Sequence, residues 1–209
     1  AIELNPDFAN AHSNLGNILR DLGHLKEAEL ATRKAIELNP DFAEAHLNLG
    51  SILNDLGNLQ EAELSHRKTI ELNPDFAEAH YNLGIILKAL GNLKEAELAT
   101  RKAIELNPNL AEAYYNLSLI ELLKGDYKYG FEHYEFRFKK KKPLSVHGKP
   151  TIRKVDGIDL TKGEKLLVVS EQGLGDTLQY MRYIPYLRSQ GLDVSFSAQE
   201  KLHSLIKAS

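Results

Sequence analysis

The chain contains no cysteine among its 209 residues. That single absence excludes a disulfide scaffold, a thiolate zinc site and a cysteine nucleophile together. It also lacks any apolar run of the ~18–20 residues that would span a bilayer as a helix, so no membrane partner is expected. No basic n-region and apolar h-region open it. It starts Ala1-Ile2-Glu3-Leu4-Asn5-Pro6, which reads like the tail of a helix, so a cytoplasmic location is expected. Basic clusters are scarce as well. The densest is one run, Lys139–Lys142, too little to point to nucleic acid.

What is present is ordinary in amount and unusual in arrangement. At 43% apolar and 26% charged, the chain has material for a sizeable core. Its net charge of −3 conceals two halves of opposite sign: residues 1–110 carry 10 Lys/Arg against 17 Asp/Glu, residues 111–209 carry 16 against 12. Two kinds of material are expected, joined near residue 140. The string Ile-Glu-Leu-Asn-Pro starts at residues 2, 36, 70 and 104, always 34 apart. The units in register are Ala9–Phe42, Ala43–Phe76, Ala77–Leu110 and a divergent fourth, Ala111–Lys142; the second and third agree at 24 of 34 positions.

Within a unit the periodicity is helical. Leu15, Ile18, Leu19 and Leu22 fall on one face of a first helix at i, i+3, i+4, i+7. Asp41 with Glu44, and Asp75 with Glu78, are the expected start signals of the later first helices. Gly23 ends the first helix of the first unit. A second helix is expected from about Leu25 to Leu38, with Ala28, Ala31 and Ala35 letting helices approach closely. Asn39-Pro40 stops it, since proline cannot continue the backbone ladder. Each helix–turn–helix buries its apolar faces only when neighbours stack.

This pattern resembles the tetratricopeptide repeat. The resemblance is carried by Leu15-Gly16, Leu49-Gly50 and Leu83-Gly84 in the first helices. In the second helices it is carried by Ala28, Ala62 and Ala96, with Pro40, Pro74 and Pro108 closing each unit. It covers residues 1–142 and implies an α-solenoid. The fourth unit departs from it: Ser118 replaces the glycine, Gly130 the alanine and Arg137 a small residue. Aromatics fill in (Tyr127, Tyr129, Phe131, Tyr134, Phe136, Phe138), as expected of a terminal repeat packed against something different.

In that family the first helices line the concave face. Asn14, Asn48, Asn82 and Asn116 recur there at one position. A regular row of amides, each both donor and acceptor, could pair with an extended peptide backbone or simply with the next repeat. The surrounding Asn-Leu-Gly and Pro-Asp-Phe-Ala-Glu-Ala-His wording is similar to the repeats of O-linked N-acetylglucosamine transferases, which implies that the asparagines grip substrate polypeptide. Ser13 and Asn17 of the first unit become Tyr81 and Ile85 in the third and Tyr115 and Leu119 in the fourth. The groove grows more apolar towards that end, either to anchor a peptide or to dock the last domain. His12, His46 and His80 also recur, with Tyr114 next. Successive repeats lie roughly a helix diameter, ~10 Å, apart, too far to share a metal, so these are read as wedges between helices and no metal is expected.

From Pro143 the period vanishes, and Lys139–Lys142 reads as a solvated linker. Lys165–Ser170 reads as a buried parallel strand, Glu171–Asp176 as a glycine-rich turn, and about Thr177–Gln190 as a helix closed by Gly191. Asp193–Ala198 reads as a second strand and Lys201–Lys207 as a further short helix. This is a βαβ unit, the opening of a doubly wound sheet. Its turn, with Gln172, Gly173 and Gly175, meets neither the dinucleotide fingerprint nor the P-loop; Asp176 either caps the helix or faces a ligand. The string from Leu167 to Tyr183 resembles the start of the glycosyltransferase-like domain that follows tetratricopeptide repeats in many bacterial proteins. That domain is similar to heptosyltransferases, and Tyr134–Phe138 looks like its junction motif. The resemblance implies a sugar or phosphate loop at Gln172, Gly173 and Gly175, with Asp176 as base for an acceptor hydroxyl. The second Rossmann domain of that class is absent, so this chain alone is expected not to transfer sugar.

The expected architecture is therefore mostly α: a tetratricopeptide superhelix over 1–142, then a truncated α/β unit over 143–209. The expected function is protein or peptide binding, as the recognition arm of a glycosyltransferase-like protein, with no cofactor. The alternative is a sugar-nucleotide-dependent transferase. The apolar strand edges call for cover by the aromatic fourth repeat or by a second chain in a homodimer.

Overall fold

In the computed structural model the described residues are 8–141, 161–170, 181, 183–198 and 200–203. The chain divides into two compact units, Ala1–Lys141 and Lys142–Ser209.

The first unit is four helical hairpins in chain order. They are α1 (Ala9–Asp21) with α2 (Leu25–Leu38), α3 (Ala43–Asp55) with α4 (Leu59–Leu72), α5 (Ala77–Ala89) with α6 (Leu93–Leu106), and α7 (Ala111–Leu123) with α8 (Tyr127–Tyr134). A 3-10 turn, Glu135–Phe138, follows. Each hairpin turns on a glycine with φ between 81° and 84°: Gly23, Gly57, Gly91 and Gly125. In the first, Gly23 N–H donates to Arg20 O and His24 N–H to Leu19 O, closing the helix end with a left-handed residue that any side chain would strain.

Between repeats the chain turns differently from the expectation. Asp41 and Asp75 do not cap the next helix. Phe42 and Phe76 hold the N-cap positions, with no side-chain cap bond. Asn39 and Asn73 instead accept the N–H of Asp41 and Asp75, an Asx turn that places the aspartates one residue too early to cap. The recurring histidines fasten this turn. His46 Nε2–H donates to Pro40 O and His80 Nε2–H to Pro74 O, both at 2.8 Å.

The core runs through the stack. Leu49, Leu53 and Ala62 pack with Ile86 of the next repeat and Ile36 of the one before. Leu83, Leu87, Ala96 and Ala99 pack likewise with Ile120. Ile52, Ile86 and Ile120 are at most 1% exposed, whereas the equivalent Ile18 is 58% exposed, with no second helix before it among the described residues. The apolar face expected on α1 is therefore buried only in its later copies. Ala28 and Ala35 are fully buried, but Ala31 is not; Thr32 fills the tight place instead.

On the outer helices Arg33 bridges Glu29 and Glu61, and Arg67 bridges Glu63 and Glu95, repeat to repeat. Exposed pairs of this kind are worth little, so they set register more than stability. Arg101 of the third hairpin finds Glu121 of the fourth, which stands where Leu19, Leu53 and Leu87 stand in the others. Glu121 is 2% exposed and bonds Arg101 at 3.0 Å and His133 Nδ1 at 2.8 Å. Tyr114 stacks on Phe136 beside it, centroids 4.1 Å apart.

In the second unit β1 (Lys165–Val169) pairs in parallel with β2 (Asp193–Ser197) in the register Leu167 opposite Ser195. Helix α9 (Tyr183–Ser189) contributes Ile184 to a small cluster with Leu192 and Val194. Glu200–Leu202 is one 3-10 turn, and beyond His203 the helix expected over Lys201–Lys207 lies outside the described residues. Among the described residues no helix is long and apolar enough to cross a membrane.

Candidate functional site: the face of the first helices

Successive first helices lie against one another, α1 on α3, α3 on α5 and α5 on α7. Side chains at i, i+4 and i+7 share one face of a helix. Each first helix therefore presents a stripe: Ser13, Asn17 and Arg20 on α1; Leu47, Ser51 and Asn54 on α3; Tyr81, Ile85 and Lys88 on α5; Tyr115, Leu119 and Leu122 on α7. The asparagine row runs beside these stripes.

The four asparagines are not equivalent. Asn14 is exposed. Asn48 donates to Ser13 Oγ at 3.0 Å and Asn82 to Ser51 Oγ at 3.4 Å, each reaching back one repeat. Their amide oxygens accept no hydrogen bond among the described residues. Asn116 is 3% exposed and engaged at both ends, donating to Thr100 Oγ1 at 3.0 Å and accepting from Lys88 Nζ at 2.7 Å. Asn48, Asn82 and Asn116 are thus repeat-to-repeat clamps, and Asn14, Asn48 and Asn82 keep polar atoms at the surface.

The aromatic end is partly covered by the chain itself. Lys140 lies 4.3 Å over the Tyr115 ring, Tyr134 leans on it at 5.5 Å, and Lys141 N–H donates to Glu112 at 2.9 Å. Lys139 sits over Phe136. Two of the four lysines read as a solvated linker therefore dock on rings, whose negative faces attract ammonium groups. Burial, with the neighbouring Tyr134, raises the Tyr115 pKa; burial, then Glu112 and Glu78, raises that of Tyr81.

Two features escaped the sequence reading. Lys88 is half-buried on α5, and burial holds its ammonium pKa below the ordinary lysine value. His66 is 1% exposed where the other hairpins carry Thr32 and Thr100, and its Nδ1 has no hydrogen-bond partner. Burial, then Arg20, lowers its pKa to about 4. The signal for Lys88 was available, as it completes the i, i+4, i+7 stripe of Tyr81 and Ile85. Asp176, Gln172, Gly173 and Gly175 lie outside the described residues, and no cluster of potential metal ligands occurs among the described ones.

Paired antiparallel helices with a 34-residue period, stacked through their first helices, define a helical-repeat solenoid. Family models described as tetratricopeptide repeat match residues 9–42 and 77–110, and 31–63 and 99–129; one described as TPR repeat matches 50–91. The chain belongs to the tetratricopeptide repeat family. Among solved structures, the crystal structure of MamA is similar at 26% identity and a TM-score of 0.60, covering 65% of this chain and 79% of that one. The first TPR of Spaghetti (RPAP3) bound to the HSP90 peptide SRMEEVD is similar at 26% identity and a TM-score of 0.55, covering 56% and 93%. MamA 41-end from Desulfovibrio magneticus RS-1, at 21% identity, a TM-score of 0.60 and coverage of 68% and 82%, shares the fold. No curated protein sequence matches the chain significantly.

Proposed function

We propose that the repeat array binds protein, taking an extended polypeptide along the face of its first helices. The observation that carries this reading is the row Asn14, Asn48 and Asn82, which keeps amide groups at the surface at a constant 34-residue spacing beside Tyr81 and Ile85. Amides pair with backbone N–H and C=O groups regardless of sequence, and ring and aliphatic surface nearby supplies the apolar part of the contact. The peptide-bound TPR among the similar structures supports the same reading. Asn116 serves behind this surface, holding Lys88 and Thr100; Tyr115 marks its covered end.

Replacing Asn14, Asn48 and Asn82 by alanine together is expected to weaken capture of extended peptides about tenfold, since a net hydrogen bond contributes roughly 1 kcal/mol and not every one is made at once. Helicity should be kept and melting should fall by only a few degrees, because two part-buried Ser–Asn bonds are lost. Anisotropy against a panel of unrelated labelled peptides checks this. Equal binding before and after would sink the row as the binding element.

The finer reading is that this array is the recognition arm of a glycosyltransferase-like protein, with a sugar or phosphate loop at Gln172, Gly173 and Gly175 and Asp176 as base. Its supports are the resemblance of residues 167–183 and the parallel pairing of β1 with β2 on either side of α9. A protein carrying the whole domain should lose sugar transfer on Asp176→Asn while keeping peptide capture.

A further inference from the structure

Comparing the four hairpins at one position singles out Lys88. On α1 the cation there is Arg20, and Asp55 of the next hairpin neutralises it at 2.6 Å. On α5 the cation is Lys88, and the residue in the place of Asp55, 35 positions on, is Leu123. Among the described residues no carboxylate lies within ion-pair distance of Lys88. The one bond made by its ammonium is to the neutral amide oxygen of Asn116, which uses one of three donors. Burial alone shifts it, with no charged group contributing. A half-buried ammonium facing an amide and no counter-ion is poorly compensated in the empty array. A bound anion would remedy that.

We propose that Lys88 is an anion-recognition point on this face, taking the carboxylate of an acidic residue in the bound peptide, with an apolar residue about three positions away lying on Tyr81 and Ile85. The spacing follows from the helix. Seven residues separate Tyr81 from Lys88, about 10 Å at 1.5 Å per residue, and an extended peptide covers that in about three residues at 3.3 Å each. The orientation follows from charge. Glu78 and Glu112 influence Tyr81 at the far end of the stripe, so an acidic ligand group is repelled there and drawn to Lys88. Asn116 holds the ammonium in place from behind. The ligand identity rests on the peptide-binding reading; the anion site does not.

The test has two arms on the full chain. In the first, the Lys88 side-chain Nζ and Cε resonances are followed by NMR during titration with N-acetylglutamate α-N-methylamide or, as control, N-acetylglutamine α-N-methylamide, which has no carboxylate. A saturable shift at Lys88 and at the Asn116 amide with the glutamate compound alone is expected, along with a rise in the Lys88 pKa. No response, or the same response to both compounds, overturns the site. In the second arm, labelled peptide pairs differing only in Glu or Gln three residues from a Leu are bound to wild type, Lys88→Arg and Lys88→Gln. Wild type should favour the Glu member about tenfold, as a charge-assisted bond would, with the preference kept in Lys88→Arg and lost in Lys88→Gln. Lys88→Gln retains a donor for Asn116, and its melting serves as the folding control. Peptides bound without Glu preference overturn the proposal. If no peptide binds while N-acetylglutamate α-N-methylamide still shifts Lys88, the peptide reading falls and the anion site stands.

Discussion

Acidification from pH 6.5 to 4 will destabilise the repeat array by about 3 kcal/mol through one residue, and His66→Thr will remove most of that loss. The His66 ring lies in the crossing of α3 and α4, against Gly50, where a Cβ would come within 2.6–2.8 Å of its ring atoms. Buried with an unpartnered Nδ1 and the positive Arg20 nearby, it stays neutral down to about pH 4 in the folded state. The unfolded chain protonates the same ring near pH 6.5. Between these two values the unfolded state holds more protons. Stability is therefore complete above about 6.5 and falls as the pH drops towards 4. A shift of roughly 2.5 units corresponds to about 3 kcal/mol at 1.36 kcal/mol per unit.

Threonine is the replacement the neighbouring hairpins specify. Thr32 and Thr100 occupy the same place with Oγ1 donating to the carbonyl four residues back, at 2.8 and 2.7 Å. In His66→Thr that acceptor is Ala62 O, and nothing at that helix crossing is left to titrate. Urea unfolding at pH 7.5, 5.5 and 4.5, with hydrogen exchange over α3, compares the two proteins. Carboxylates titrate equally in both, so the difference in pH slope isolates His66. Identical slopes would show that the ring is hydrated in the fold.

Most of the array was legible because its information is local and repeated. Asn39-Pro40 and Gly23 fix where α2 stops and α1 ends whatever lies around them, and three near-copies repeat the message. What stayed hidden depends on neighbours one repeat away. Asp41 has the chemistry of a cap and loses the position to Phe42 because Asn39 tightens the turn first. Asn116 has the same letter as Asn48, yet Thr100 and Lys88 draw it inside. Glu121 reads as a surface residue until Arg101, on the previous hairpin, and His133 are placed against it. In the second unit β1 and β2 follow from β-branched and aromatic runs flanked by turn residues. The role of Asp176 hung on resemblance alone.

Gly84→Ala will cost the array about 2–3 kcal/mol, although alanine is the better helix former by about 1 kcal/mol. A Cβ at residue 84 would overlap Thr100 Oγ1 and lie 3.2 Å from Ala96 O and 3.4 Å from Asn116 Nδ2. Thr100 cannot simply turn away. Its hydroxyl donates to Ala96 O at 2.7 Å and accepts from Asn116 at 3.0 Å, and the residue is fully buried. The added methyl must either part α5 from α6 or break two buried bonds, and overpacking of this kind costs ~1–3 kcal/mol before the lost bonds are counted. The fourth hairpin shows that the place can take a side chain when its surroundings change. Ser118 stands at the glycine's place, with Gly130 in that of Ala96 and Tyr134 in that of Thr100. Removing the obstacle should therefore rescue the variant in part. Gly84→Ala with Thr100→Ala is expected to be more stable than the sum of the two single changes by ~1–2 kcal/mol, a coupling measurable by unfolding all four proteins in a double-mutant cycle. Helix propensity predicts the opposite sign for the single change. A Gly84→Ala variant as stable as wild type would mean that α5 and α6 cross less tightly than these contacts require. The same variant links packing to binding, because a displaced Thr100 releases Asn116, and Asn116 is what holds Lys88.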